Sequence, residues 1–334
     1  MKIIVDAFGG DNAPKEIIEG AINAVKEKEF TLVLVGEEEK IKKELEGKEY
    51  PADRVEILSA SEVIGMGEEP VESIRKKKDS SIVVGLRALN DWEDAGAFVS
   101  AGSTGAVLTG AVLLTKRIRG IRRPALSPVL PSLKGGNVLL VDCGANAECK
   151  PADLVQFAKM GAAYCEEVAH IENPKIGLLS NGTEDAKGSP LNKEAFPLLK
   201  ESGLNFVGNM EGRDLLSGDY DVVVSDGFSG NIALKTAEGV AMGMFGLIKD
   251  GIMAGGLRAK IGYLLLKPVL KVVKKKLDYN DQGGAVLLGL KKIVVKAHGS
   301  SKAKSVKAAV LQALSLATSG MVENLERKLV DETV

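Results

Sequence analysis

Residues 95–115 read AGAFVSAGSTGAVLTGAVLLT, 21 consecutive positions without a charge. Such a stretch is long enough to cross a bilayer as one helix. Its centre argues otherwise: Gly102-Ser-Thr-Gly105 is turn chemistry, and AFVSA before it is a short apolar run of the kind buried in a sheet. The stretch predicts a strand over 97–101, a glycine turn and then a helix. Similar runs flank it, namely KIIVD (2–6), FTLVLVG (30–36), NVLLVD (137–142), KIGLLS (175–180) and YDVVVSD (220–226). Helical patterns lie between them over 14–28, 153–169 and 231–246. Continuous apolar strands alternating with helices predict an α/β fold, a mostly parallel sheet with helices on both faces. No repeat of 20–50 residues and no low-complexity linker divides residues 1–334, so one catalytic unit is expected, with at most two subdomains around a cleft.

Composition fits this class. The chain has 334 residues, 45% hydrophobic and 27% charged, with a formal net charge of -1. Those fractions exclude wholesale disorder. The near-neutral charge and 14 aromatic residues argue against a nucleic-acid binder. Cys143, Cys149 and Cys165 are odd in number and form no CxxC pair, which argues against a disulfide framework or zinc site, and no metal is expected. The opening MKIIVDAFGG carries an apolar run too short for a signal peptide, so a cytoplasmic protein is expected.

Residues 251–277, GIMAGGLRAKIGYLLLKPVLKVVKKKL, break the alternation. They hold seven bases and no acid, leaving the remainder of the chain at -8. Leu257, Ile261, Leu264 and Leu265 recur at helical spacing, and Pro268 is expected to break or kink the helix, giving two short helices that meet near it with an apolar tip ringed by lysines. The pattern fits an interfacial membrane anchor, a partner-binding arm, or an ordinary core helix with a solvated basic face.

Five strand ends run into turns rich in glycine and small polar residues: 6–14, 100–105, 142–146, 180–188 and 225–231. If all the strands are parallel, their carboxyl ends share one edge and these loops converge on a single crevice. Glycine lets backbone N–H groups approach an oxyanion, and helix N-termini favour negative charge. Ser103, Thr104, Asn146 and Asn231 add neutral donors, and Lys187 adds a cation. Each has a plain alternative: Gly102–Gly105 as a tight turn, Asn231 as a helix cap, Lys187 as a solvated charge. Asp6 and Asp226 can orient a lysine, hold a metal or cap a loop. His298 is either a site residue or structural, and Cys143 either a nucleophile or a buried structural thiol. No GxGxxG opens a βαβ unit, and no Walker A loop, HExxH or GxSxG is present.

Taken in order, DAFGGDNAP (6–14), SAGSTGA (100–106), RRPAL (122–126), DCGANAECKP (142–151), NGTEDAKG (181–188), NMEGRD (209–214), SDGFSGNIALKTAEG (225–239), GGAVLLG (283–289) and KAHGSS (296–301) resemble the PlsX-type phosphate acyltransferases of bacterial phospholipid synthesis. Ser103, where Asn is frequent, and Val286, where Pro is common, depart from that pattern. The resemblance implies a fold like the isocitrate/isopropylmalate dehydrogenases and phosphotransacetylases, a homodimer, and no cofactor. It implies transfer of an acyl group from acyl–acyl carrier protein to inorganic phosphate, with peripheral attachment to the cytoplasmic membrane, where a downstream glycerol-phosphate acyltransferase takes the product. Carried over to this chain, Lys187 and Asn231 are the catalytic pair. Gly102, Ser103, Thr104, Gly105, Asn146 and Asp226 line the phosphate and thioester pocket, together with Asp6 and His298.

The basic run Lys116, Arg117, Arg119, Arg122 and Arg123 is then a candidate dock for an acidic carrier protein, or a solvated face. Leu257, Ile261, Leu264 and Leu265 become candidate lipid contacts on an anionic membrane. Alternatives are an acyl-CoA-dependent phosphotransacetylase, a decarboxylating dehydrogenase on the related fold, and a non-enzymatic membrane scaffold.

Overall fold

The computed structural model describes residues 1–276 and 283–331. Its strands are β1 (Lys2–Asp6), β2 (Thr31–Gly36), β3 (Val55–Ser59), β4 (Ala95–Ser100), β5 (Ala125–Pro131), β6 (Asn137–Val141), β7 (Ile176–Ser180), β8 (Phe206–Glu211), β9 (Val222–Val224), β10 (Ala285–Leu288) and β11 (Ile293–Lys296). The helices are α1 (Lys15–Glu27), α2 (Glu38–Leu45), α3 (Pro70–Lys76), α4 (Ser81–Asp91), α5 (Thr104–Leu114), α6 (Pro151–Glu167), α7 (Pro190–Lys200), α8 (Gly227–Ala254), α9 (Gly256–Lys276), α10 (Ala303–Thr318) and α11 (Met321–Asp331). The uncharged stretch 95–115 divides into β4, a turn and α5, as its glycines predict. No single helix among the described residues is long and apolar enough to cross a membrane.

The strands form one sheet in the order β3-β2-β1-β4-β11-β10-β5-β6-β9-β7-β8. Side chains alternate between its faces. Ile3 and Val5 pack with Ile17 of α1 and Val306 of α10, while Ile4 packs with Leu86 of α4 and Val107 of α5. On α1 the buried positions Ile17, Ile18, Ala21, Ile22 and Val25 make one stripe. Each of its larger side chains contributes about 1.5–3 kcal/mol by leaving water.

The direction of the strands overturns the expectation of a single carboxyl edge. β3, β2, β1, β4 and β11 are parallel, and β6, β9, β7 and β8 are parallel, but β10 and β5 join them through three antiparallel ladders. The two halves therefore run in opposite directions. Their loops meet across β5, whose first residues pair with β10 and whose last three pair with β6. Pro128 and Pro131 each fall at the end of a ladder, so β5 tolerates two residues that cannot donate.

Pro268 does not break its helix either. It lies inside α9, and the reversal occurs where α8 ends and α9 begins, at Gly255 and Gly256, where Gly256 takes φ +68. A missing N–H on an exposed helix costs one hydrogen bond, whereas the reversal needs a left-handed residue that glycine supplies. Beyond Leu234 no residue of α8 is buried, so α8 and α9 form a hairpin that leaves the body of the fold. Leu277, the last residue of the predicted arm, lies outside the described residues.

Candidate active site

At the end of β1 the fully buried Asp6 carboxylate accepts from Ser100 Oγ at 2.6 Å and from the Phe8 N–H at 3.1 Å. Ser100 Oγ accepts the Gly102 N–H at 3.0 Å. Gly9 is wedged between them: a Cβ there would stand 2.4 Å from Asp6 Oδ2 and 2.6 Å from Gly102 N. Asp6 thus ties the ends of β1 and β4 together. Burial raises its carboxyl above the ordinary carboxylate range, opposed by hydrogen bonds from Ser100, Ser81 and the backbone. The third strand end is stitched on by Asp11 N–H to Gly299 O at 2.8 Å and by Asn12 Nδ2 to the carbonyls of Ser300 and Ser301 at 3.1 and 3.2 Å.

Lys296 closes β11 and was not singled out by the sequence. It is 7% exposed, and its Nζ donates to the carbonyls of Ala101, at 3.4 Å, and Ala297. Burial pushes its ammonium down to about 8, while Asp6 and Asp11 pull it upward. Two residues on, His298 Nδ1 accepts the Ser300 N–H at 3.3 Å and lies 2.8 Å from Ser300 Oγ. Burial, then the Lys235 charge, hold the His298 imidazole below its usual value, so it is neutral at pH 7.

The opposite half supplies the loop after β6. Asp142 is buried and its carboxylate accepts from the N–H groups of Leu126, Gly144, Ala145 and Asn146 at 2.7–3.2 Å, and from Asn146 Nδ2 at 2.9 Å. Asn146 Nδ2 also donates to Pro124 O at 2.7 Å, so its amide is committed to holding this loop rather than open to a ligand. The N-terminus of α8 presses on the same loop: a Cβ on Gly230 would stand 2.0 Å from the Asp142 carbonyl oxygen. Asp226 caps α8, accepting from the N–H groups of Phe228 and Ser229 at 3.0 and 2.9 Å.

Where the halves meet over β5 lies a cavity of about 510 Å³. Leu126, Pro128, Val129, Leu130 and Leu234 give it an apolar lining along β5 and α8, with Met66 and Ala285; Thr104, Asn231, Lys235, Lys296 and His298 bring polar groups to it, as do the carboxylates of Asp11 and Glu238. Lys235 Nζ pairs with Glu238 at 2.7 Å on the next turn of α8. Cys143 also lines it, but burial and the neighbouring Asp142 drive its thiol far above the ordinary range, so it carries no thiolate at neutral pH.

Of the residues picked from sequence, Thr104, Asn231 and His298 line the cavity. Asp6, Gly102 and Ser103 stand behind them, and Gly105 packs on α3, where a Cβ would meet Pro70 Cγ at 2.5 Å. Asn146, Asp226 and Lys187 are not among the lining residues; Lys187 is exposed on the loop after β7, at the same sheet edge as the loops after β6 and β9. Among the described residues no group of three or more His, Cys, Asp and Glu is disposed to hold a metal ion.

The basic run is only partly free. Arg122 Nε lies 3.2 Å and Arg123 Nε 3.9 Å from the carboxylate of the buried Asp153 at the start of α6, and the Arg117 guanidinium donates to the Arg122 carbonyl. Arg119 is exposed. On the hairpin, Leu257, Ile261, Leu264 and Leu265 are exposed by 51–77%.

Comparison with known proteins gives concordant matches. The family described as "Fatty acid synthesis protein" matches residues 1–324. A protein of Clostridium tetani (strain Massachusetts / E88) named phosphate acyltransferase is 48% identical over 332 residues, covering 99% of this chain and 98% of its own. Proteins of the same name from Alkaliphilus oremlandii (strain OhILAs) and Bacillus cereus (strain G9842) are 49% identical over 325 residues and 44% over 335, covering 97% and 100% of this chain and 96% and 100% of their own. Among solved structures, a phosphotransacetylase from Streptococcus pyogenes superposes with a TM-score of 0.62 at 18% identity, over 95% of this chain and 94% of that one. The fold is shared; the low identity carries nothing further.

Proposed function

The chain belongs to the fatty acid synthesis protein family, and from that premise we propose that it is a phosphate acyltransferase that moves a fatty acyl group from acyl–acyl carrier protein to inorganic phosphate. The observation that carries this reading is the two-sided cavity, apolar along β5 and donor-rich where α5, α8 and the 296–300 loop meet. An acyl thioester and an anion need those two environments side by side.

The chemistry asks for little more. Phosphate attacks the thioester carbonyl through one oxygen, a tetrahedral oxyanion forms, and the C–S bond breaks with its electron pair leaving on sulfur. A thiolate with a pKa near about 8.5 leaves with little protonation. Acyl phosphate and the free carrier thiol are the products. Asn231 is assigned the donor to the developing oxyanion, and Lys187, on the exposed loop after β7, the neutralisation of phosphate charge. Preorganised donors of this kind contribute about 10²–10³ each in rate. Attack is direct: the buried, protonated Cys143 supports no acyl-enzyme.

Membrane contact, carrier docking and assembly belong to the same proposal. The α8–α9 hairpin, apolar at Leu257, Ile261, Leu264 and Leu265 and basic at Arg258, Lys260, Lys267 and Lys271, fits peripheral contact with an anionic membrane. There the product would pass to a glycerol-phosphate acyltransferase. Arg117 and Arg119, with the flanks of Arg122 and Arg123, suit an acidic carrier protein. The assembly is proposed to be a homodimer without a cofactor.

The test is incubation of the purified protein with acyl–acyl carrier protein and phosphate, trapping acyl phosphate as its hydroxamate, with acyl-CoA run in parallel. Phosphate-dependent hydroxamate from the carrier-bound donor is expected. Activity with acyl-CoA alone would move the substrate to the smaller thioester, and no phosphate-dependent thioester loss would refute the reading.

A further inference from the structure

We infer that Lys296 and the N-terminus of α5 together form the anion-holding end of the cavity, and that the group held there is phosphate, as the free ion or as the phosphoryl end of the acyl phosphate. This deepens the phosphate acyltransferase reading and rests on it for the identity of the anion.

The cavity receives lysines of two kinds. Lys235 is exposed and already paired with Glu238. Lys296 is nearly fully buried, and its hydrogen-bond partners are two carbonyl oxygens, of Ala101 and Ala297, rather than a carboxylate. An ammonium has three N–H donors, so those two carbonyls leave one, and the residue borders the cavity. A charge removed from water on neutral partners is only partly compensated, and an arriving anion completes it. The same two carbonyls belong to the segments that lead from β4 into α5 and from β11 to His298. Lys296 therefore also fixes the position of the α5 N-terminus.

That N-terminus is the second, independent feature. Ser103 is the N-cap of the eleven-residue α5, yet its side chain makes no capping hydrogen bond. Thr104, the first helical residue, lines the cavity. Uncapped N–H groups at a helix start favour an anion. The buried ammonium and the uncapped helix thus lie together, Lys296 Nζ donating to the carbonyl of Ala101 just before the N-cap, and both border the cavity that the apolar residues of β5 also line.

Charged and titratable groups facing Lys296 are Asp6 on β1, Asp11 on the following loop, Lys235 on α8 and His298 on its own loop. With the ammonium pushed down to about 8, the charged form prevails below that pH. Phosphate binding should weaken as pH rises through it, by about tenfold between pH 7 and 9.

The experiment is calorimetric titration of the full-length protein with inorganic phosphate over pH 7–9, for wild type, Lys296→Met and Lys296→Arg. Steady-state kinetics run alongside, forward with acyl–acyl carrier protein and in reverse with acyl phosphate. The Lys296→Met protein is expected to bind phosphate about 10- to 100-fold more weakly, with the KM for the acyl carrier little changed. Lys296→Arg should lose the pH dependence, because guanidinium stays charged. A higher KM for phosphate in the forward direction with an unchanged KM for acyl phosphate in reverse assigns the subsite to the free ion; a rise in both KM values assigns it to the phosphoryl group throughout. Wild-type phosphate affinity in a folded Lys296→Met protein overturns the inference. So does a pH profile of phosphate affinity that is the same in wild type and Lys296→Arg. Should wild type bind phosphate through Lys296 yet consume no acyl thioester, the subsite stands and the proposed function falls.

Discussion

Replacing Gly230 with alanine should disable the enzyme from a distance. A Cβ at this position would stand 2.0 Å from the Asp142 carbonyl oxygen and 3.1 Å from its carbon, and side chains essentially never come within 3.0 Å. The gap must therefore open by about 1 Å, and the carbonyl is poorly placed to retreat. Asp142 donates its N–H to Ser225 O at 3.0 Å, and its carboxylate holds the loop through Leu126, Gly144, Ala145 and Asn146. The first turn of α8 has to yield, and Asn231 is the next residue along it. Overpacking of this kind costs about 1–3 kcal/mol. At roughly 2 °C per kcal/mol for a chain this long, the melting midpoint should fall by about 2–6 °C. A 1 Å displacement of a catalytic donor should lower kcat by about 10². Thermal melting and hydroxamate formation measure the two effects, with Gly239→Ala as control, since a Cβ there meets nothing within 4 Å. The control should be neutral or stabilised by up to about 1 kcal/mol. A Gly230→Ala protein with wild-type melting and kcat would show that this contact does not position Asn231.

Asn231→Ala should lower kcat by about 10²–10³ while leaving KM for phosphate within a few-fold; an unchanged kcat removes Asn231 from the oxyanion site. Cys143→Ala should keep kcat within about threefold of wild type, since a thiol pushed so far up is no nucleophile, and a trapped acyl-Cys143 would reverse the mechanism. Binding to vesicles of anionic phospholipid should weaken with salt. Leu264→Glu, which places a charge on a side chain 65% exposed at the hairpin, should weaken it by about tenfold or more without changing soluble transacylase activity; salt-independent sedimentation would remove the electrostatic part of the contact.

What was legible in the sequence followed from local physics. Continuous Val/Ile/Leu runs marked β1, β2, β4, β6, β7 and β9 to within a few residues, and their glycine-rich ends marked Thr104 and Asn231. β5 escaped because Pro128 and Pro131 disguise a central strand, and β10 and β11 are only four residues each. Those three strands reverse the sheet, so missing them also hid the opposed halves and the position of the crevice. Asn146 and Asp226 have the right chemistry for a ligand, but their hydrogen bonds go to Pro124, Asp142 and the α8 backbone, which no local pattern reveals. Lys296 did leave a signal: a lysine ending the wholly buried strand IVVK is a charge in register with the core. Such placement is rarely retained without a task.

Among the described strands, those at the centre of the sheet come last in the chain. By Val224 the chain already contains β3-β2-β1-β4 and β5-β6-β9-β7-β8, yet β4 and β5 acquire their neighbours only when residues 285–296 arrive. Until then a nascent chain presents two open ladder edges to its surroundings, the condition under which sheets pair with the wrong partner. A chain interrupted between residues 225 and 283 would therefore be a recruit for aggregates and chaperones rather than a smaller enzyme. The same order of manufacture applies to the cavity. Lys296 and His298 belong to this closing stretch, so the cavity between the two halves is complete only once residues 285–298 are in place.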